Sequence, residues 1–484
     1  MLTGIRETAD LTMKKRELQN LGLDSREYRD VAQQCIKTAM SGGLRGKEIR
    51  TVVTALCQKP EEYRHDPSFG PLATALIAAA NPKPKSRLPV ADIPIQSWVR
   101  DNAEPEALDQ LRDACRLPIA VAGALMPDAH VGYGLPIGGV FAAENAVIPY
   151  GVGVDIGCRV KISVTDLPVL KFGQNPAIFA RALENQTRFG MGARWESPLD
   201  HPVLDQDWKA TPLLATLKDT ARGQLGTSGS GNHFVEFGEF RVAQGTTRLD
   251  QYGLVPGHTY IALVSHSGSR GAGARIAMHY SSLAASLHPE LPPALKRLAW
   301  LDLDSAEGQE YWYAMNLMGE YASANHELIH RGVLRAVGAR ALTSFENHHN
   351  YAWRETHSGR SLIVHRKGAT PAGLGEIGYI PGTMADPGFL VEGTGNEASL
   401  RSCSHGAGRV LSRKKALQTT TRNALNTLLK ERNVTTLSCG LDESPHAYKD
   451  ITEVMNAQSD LVRVLAAFKP RVVKMAPPGE KPED

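Results

Sequence analysis

Apolar and polar residues follow two different rhythms along this chain. Up to about residue 80, the stretches REYRDVAQQCIKTAM, GKEIRTVVTALCQ and PLATALIAAA carry apolar residues at helical spacing. They stop at Ser41-Gly42-Gly43, at Pro60 and at Asn81-Pro82, residues that end helices. NPKPKSRLP follows, and its Pro and Lys content reads as a linker. The pattern predicts a helical extension with its linker over residues 1–86.

From residue 87 the rhythm shortens to β-like runs broken by glycine: GGVFAA, NAVIPYGVGVDIGCRVKISV, HTYIALVSHSGSRG, RSLIVHRKGA and PGFLVEG. Helical segments intervene from Asp302 to about Ala341 and in KALQTTTRNALNTLLKERN. This mixture predicts one large α+β domain over residues 87–475 with its chemistry on loops, and a flexible tail over 476–484. The length of 484 residues allows two or three ordinary domains, so length does not choose.

Composition narrows the class. Apolar residues make up 42% and charged residues 22%, the balance of a globular rather than a disordered or membrane chain. No apolar run approaches the roughly 20 residues of a membrane helix. The first residues, MLTGIRETADLTMKKRELQN, lack an apolar stretch with a cleavage site, so a cytoplasmic location is expected. Six cysteines without a CxxC pair argue for reduced thiols. A net charge of +3 is too small to announce a nucleic-acid binder. The sixteen histidines say more, because several sit in Gly/Ser-rich segments, where catalytic groups concentrate.

In GVGVDIGC, Asp155 and Cys158 offer an oxygen and a thiolate on one tight loop; they read equally as a metal pair or as a turn cap beside a buried thiol. LGTSGSGNHF frees backbone amides to curve round an anion before Asn232 and His233, or is a flexible turn. HSGSRG brings His266, with Arg270 suited to a phosphate or carboxylate. ENHHNYA adds His349 and Asn350, and HGAGR adds His405, Gly406, Ala407, Gly408 and Arg409. If Asp155, Cys158, His233, His266 and His349 converge, they can hold two ions with a shared ligand, an arrangement suited to phosphoryl transfer. His405 is then either a nucleophile forming a phosphoramidate or a sixth ligand.

Together MPDAHVGYGLPIGG, VGVDIGC, GNHFVE, HSGSRG, HHN, VHRKGAT and SHGAGRVLSR resemble, in order and spacing, the RtcB-type RNA ligases. The resemblance runs from about residue 88 to VVKM. It implies a ligase that uses GTP and two Mn(II) ions to join RNA ends bearing a 2′,3′-cyclic phosphate or 3′-phosphate to 5′-hydroxyl ends, in RNA repair or tRNA splicing. A histidine attacks the α-phosphorus of GTP, GMP passes to the RNA 3′-phosphate, and the 5′-hydroxyl displaces GMP.

Carried over by motif, His405 is the guanylylated nucleophile, and Asp155, Cys158, His233, His266 and His349 are manganese ligands. Asn232, Thr383, Tyr448, Lys474 and the Gly406–Gly408 turn would bind the nucleotide. Glu236 would accept from guanine or orient His405. Arg270, Arg409 and Arg413 would meet RNA or phosphate, with Asp128 and Asn350 in support. An archease-type activator is a candidate partner, and no membrane is implied. Gly388 departs from the serine some members carry near guanine, which leaves base specificity open. Without the resemblance a Cys/His set would suggest Zn(II). Competing readings are a metal phosphodiesterase, a 3′-end guanylyltransferase that does not seal, and a silent RNA-binding relative.

Overall fold

The computed structural model describes residue 13 and residues 15–23, 26–80, 93–100 and 105–480. The chain divides into two compact units, Met1–Arg87 and Leu88–Asp484. The expected linker NPKPKSRLP and tail residues 481–484 lie outside the described residues.

The first unit packs the helices Arg26–Ser41, Gly46–Gln58 and Gly70–Ala80 around a core that includes Leu18, Ile36, Val53, Leu56 and Leu72. Ile49, Val53 and Leu56, spaced four and three apart, form the buried stripe of the second of these helices. Its Glu48 carboxylate accepts the Arg45 amide at 2.9 Å, satisfying a backbone donor at the helix start.

The second unit is α+β and contains two large sheets. One joins, in order, the strands Ile95–Ser97, Ala120–His130, Ile137–Ala143, Arg360–Lys367 and Asn350–His357. The other runs Ile377–Ile380, Gly388–Gly393, Val462–Met475, Phe234–Val242, Thr259–Ser267, Arg159–Thr165 and Ala341–His348. The edge strands of this second sheet meet through the Asn347 side chain. Its Oδ1 accepts the Tyr379 amide at 2.7 Å and its Nδ2 donates to the Tyr379 carbonyl at 3.2 Å, which nearly closes the sheet into a barrel.

Register gathers the polar motifs. Arg159 lies opposite both Ser267 and His348, and Phe234 lies opposite His266. Cys158, His233, His266 and His349 therefore stand within one residue of the same rung, at one end of neighbouring strands. Behind this end runs the helix Ala306–Val337, started by Ser305, whose hydroxyl accepts the Gly308 amide, and stopped by left-handed Gly338.

Three segments differ from the pattern reading. NAVIPYGVGVDIGCRVKISV is not one extended run: Pro149 opens a helical turn, Pro149–Val152, and the strand resumes only at Arg159. KALQTTTRNALNTLLKERN lies in two helices, Arg413–Thr419 and Arg422–Arg432, because Thr421 turns its hydroxyl back to cap the second. The long helix begins at Ala306 rather than Asp302, which pairs with Ala146 in a short strand. Among the described residues, no helix is long and apolar enough to cross a membrane. All six cysteines are free thiols.

Candidate active site

The strand ends open into a cavity of about 840 Å³, within the range of sites that take up small ligands. At its base Cys158 Sγ lies 3.1 Å from His266 Nε2 and 3.5 Å from His233 Nε2. His266 Nε2 lies 3.2 Å from His349 Nε2, and His233 Nε2 lies 3.3 Å from Asp155 Oδ2. These buried groups form two sets of three donors, Asp155, Cys158, His233 and Cys158, His266, His349, with the thiol common to both.

Backbone chemistry presents the donors. Asp155 accepts the Ser269 amide at 2.9 Å, and it comes this close because position 268 is glycine: a Cβ there would stand 2.0 Å from Asp155 Oδ2. The Asn232 carbonyl, which can only accept, takes the Nδ1 proton of His266 at 3.2 Å, leaving Nε2 as a bare lone pair. That lone pair faces a second imidazole nitrogen and a thiol, a convergence of donors that fits a metal cation. Burial holds His266 and His349 well below the usual imidazole range, in the neutral form that ligates. Burial pushes the Asp155 carboxyl up, but the hydrogen bond and charge of His233, with Arg270, outweigh it and bring it to about 2.

His405 sits next to this base, its ring centroid 5.0 Å from that of His349. Asp128, fully buried, accepts His405 Nδ1 at 2.6 Å and the amides of His405 and Gly406 at 3.1 and 3.3 Å. A carboxylate only accepts, so the proton resides on Nδ1 and the ring's one lone pair is on Nε2. Gly408, at φ +74°, lets the turn lie on the Asp128 backbone, where a Cβ would come within 2.1 Å of the carbonyl oxygen.

A family model described as tRNA-splicing ligase RtcB matches residues 110–211 and 206–475. The chain is 33% identical to the RNA-splicing ligase RtcB of Escherichia coli over 420 residues, covering 79% of this chain and 97% of that protein. It is 32% identical to the RNA-splicing ligase RtcB of Mycobacterium tuberculosis over 427 residues, 75% and 98% of the two chains. It is 30% identical to the tRNA-splicing ligase RtcB of Methanococcus maripaludis over 449 residues, 78% and 92%. The chain belongs to the RtcB family.

Of the residues expected at an RtcB site, Asn232, Glu236, Asn350, Thr383, Arg409, Arg413, Tyr448 and the Gly406–Gly408 turn share the cavity wall with the metal-type donors and His405. Asp128, Arg270 and Lys474 stand off that wall. Asp128 acts through His405. Arg270 is buried under the glycine-rich loop, its Nε 3.4 Å from Thr227 Oγ1 and its Nη1 3.5 Å from His233 Nδ1. Lys474 faces away because its strand neighbours Val473 and Met475 take the cavity side; its ammonium donates to the carbonyls of Leu183 and Glu184.

Other expected residues carry local partners. Asn350 Oδ1 accepts the Gly368 amide at 2.9 Å. Thr383 donates to Asp386 at 2.7 Å. Arg413 pairs with Asp442 at 2.9 Å and with Glu443, while Arg409 Nη1 reaches Glu443 at 3.5 Å and lies over the Tyr448 ring. Burial raises the Glu236 carboxyl well above the usual carboxylate range. The group bonded to His405 is Asp128. Gly388 has no room for a serine: its Cβ would lie 2.1 Å from Tyr379 Oη.

Sequence reasoning assigned no role to Lys367, His130, Tyr133 or Tyr150, all on the cavity wall. Lys367 was legible as a lysine closing the apolar-centred run RSLIVHRK just before Gly368. Burial, then the charge of Arg297, bring its ammonium down to about 7. Asn325, which clamps the glycine-rich loop from the long helix, had no local signal.

Proposed function

We propose that this chain is a GTP- and Mn(II)-dependent RNA ligase that joins 2′,3′-cyclic phosphate or 3′-phosphate ends to 5′-hydroxyl ends through a guanylyl-histidine at His405 and a 3′-capped RNA, in RNA repair or tRNA splicing. The observation that carries the reading is the Asp128–His405 pair, which turns Nδ1 to the carboxylate and leaves Nε2 as the ring nitrogen for attack, on the wall of a cavity floored by metal-type donors.

His405 Nε2 forms the bond to the α-phosphorus of GTP as pyrophosphate leaves, and Asp128 balances the charge the ring acquires through the Nδ1 proton. Water first opens a 2′,3′-cyclic end to the 3′-phosphate, and the guanylate passes from His405 to that phosphate, restoring the neutral ring. The 5′-hydroxyl then displaces GMP, and the phosphodiester closes. Asp155, Cys158, His233, His266 and His349 would hold two Mn(II) ions, whose chemistry when bound is to draw negative charge from the reacting phosphate. Arg409, Arg413 and the amides of the glycine-rich loop with Asn232 would meet phosphates. Thr383, Tyr448 and Glu236 would bound the base, and the cytoplasm is the expected location.

Intact-mass measurement after exposure to GTP and Mn(II) tests the proposal: one added guanylate is expected, absent from His405→Ala. Supplying RNA with 3′-phosphate and 5′-hydroxyl ends should then yield sealed product. An adduct that persists in His405→Ala overturns the nucleophile, and a capped RNA that accumulates unsealed replaces ligation by end-capping.

A further inference from the structure

Tyr133, Tyr150 and Lys367 line one wall of the cavity, and with Arg297 behind them they form an alternating stack of cations and aromatic rings. The Arg297 guanidinium carbon lies 4.6 Å from the Tyr133 ring centroid and 5.4 Å from that of Tyr150, and Lys367 Nζ lies 5.0 Å from the Tyr150 centroid. Each aromatic ring thus has a cation within the range of a cation–π contact. The order runs Lys367, Tyr150, Arg297, Tyr133, from the buried ammonium to a ring 61% exposed.

The turn that carries Tyr133 is braced independently of the ring. The Gln110 side chain exchanges two hydrogen bonds with the Gly132 backbone, at 2.7 and 3.0 Å. Lys367 Nζ donates to the carbonyls of Tyr133 and of Tyr150. Gly134, at φ +75°, brings the turn against the Arg297 backbone, where a Cβ would stand 3.2 Å from the carbonyl oxygen. A lone exposed aromatic is ordinary on a protein surface. This one is backed by a guanidinium, held on a fixed turn and placed on the wall of the cavity that holds His405. Its ring already lies against the Arg297 guanidinium, so stacking on it costs less conformational entropy than stacking on a side chain without a neighbour.

A planar ligand attached to phosphate suits this surface: the ring takes the plane, and the cations behind it favour the anion. Thr383, Tyr448 and the Gly406–Gly408 turn, the residues assigned to the nucleotide, belong to other elements of the wall, which leaves the Tyr133 shelf to the second substrate. We propose that Tyr133, backed by Arg297 and Tyr150, is the stacking platform for the terminal nucleobase of an RNA end at this site. The inference rests on the RNA-ligase reading and adds a positioning residue to it. Stacking of this kind tolerates any base, because every base has a π-face.

Fluorescence-anisotropy titration of the full chain with short labelled RNAs, in Mn(II) without GTP, tests it. The RNAs carry either a 3′-phosphate or a 5′-hydroxyl end, each with a normal or an abasic terminal nucleotide. Tyr133→Ala is expected to weaken binding of one normal end by at least about fivefold, the low end of base–aromatic stacking. Tyr133→Phe should restore it. The abasic form of that end should bind wild type as weakly as it binds Tyr133→Ala, and which end responds distinguishes the two strands.

Equal losses on normal and abasic ends, no loss on either end, or loss of GTP adduct formation in Tyr133→Ala would each overturn the proposal; the last would assign the ring to the nucleotide. Failure of the wild-type protein to form the guanylate adduct defeats the ligase reading separately, because the anisotropy measurement does not depend on guanylylation.

Discussion

Asp128→Asn isolates the part of the site on which the chemistry turns. The substitution keeps the size of a side chain that is fully buried and accepts three hydrogen bonds, from His405 Nδ1 at 2.6 Å and from the His405 and Gly406 amides at 3.1 and 3.3 Å. The carboxylate's contribution has two parts. A charge-assisted hydrogen bond is worth about 1 to 1.5 kcal/mol more than a neutral one. As Nε2 bonds to phosphorus the ring becomes cationic, and a full charge about 4 Å from a carboxylate at an effective dielectric near 20 gains up to about 4 kcal/mol. The rate of guanylate transfer to His405 should therefore fall by roughly 10- to 10,000-fold. An amide NH₂ turned toward Nδ1 deepens the loss, because it draws the ring proton to Nε2 and blocks the attacking atom. The assay is single-turnover adduct formation from labelled GTP, with bound manganese measured on the same samples. Loading at the wild-type rate, or loss of adduct in proportion to loss of metal, would refute the assignment of Asp128 as the group that poises His405.

Cys158→Ala should lower manganese content and ligation together, since the thiol belongs to both sets of three donors; a variant that keeps its full metal complement would contradict the shared-ligand arrangement. Asn325→Ala removes an amide that accepts from the Gly226 and Thr227 amides at 2.6 and 3.1 Å and donates to the Thr227 carbonyl and Ser267 hydroxyl at 2.8 and 3.0 Å. Stranding these buried groups should cost on the order of 3 kcal/mol, read as a lower denaturation midpoint, and unchanged stability would refute the clamp. His357 bridges Glu355 at 2.8 Å and Glu397 at 3.0 Å; the Glu355 hydrogen bond outweighs burial and raises its pKa. Its stabilising contribution is thus complete below the unfolded pKa of about 6.5 and fades as pH rises through the higher folded value. The melting-temperature gap between wild type and His357→Gln should be wider at about pH 6 than at about pH 8.5, and the opposite trend would refute the sign.

What could be read in advance, and what could not, follows from the range over which each constraint acts. The helices at Arg26–Ser41 and Gly46–Gln58 were legible because spacing and stop signals act within a few residues. The metal-type donors were legible because each lies in a short Gly- or Asn-flanked motif. Thr421 could not be recognised as a cap from an apparently continuous helical run, since hydroxyl capping and helix continuation compete at the same residue. Lys474 sat in the expected motif, yet its direction depended on which face of its strand meets the cavity, and strand register is a long-range property. Asp128 and Asn325 are separated from the groups they hold, His405 and the Gly226–Thr227 amides, by 277 and 99 or 98 residues, so no local pattern could pair them.

The sequence by itself supplied the chemical groups: a histidine beside glycines at 405, and Asp, Cys and His side chains of the kind that can ligate a metal. Only the tertiary structure decided their relations, because sheet register brings residues 158, 233, 266 and 349 to one rung, and a buried carboxylate 277 residues away chooses which nitrogen of His405 is left with a lone pair. Side-chain chemistry is local to a residue, whereas protonation, coordination and orientation depend on neighbours that only folding supplies.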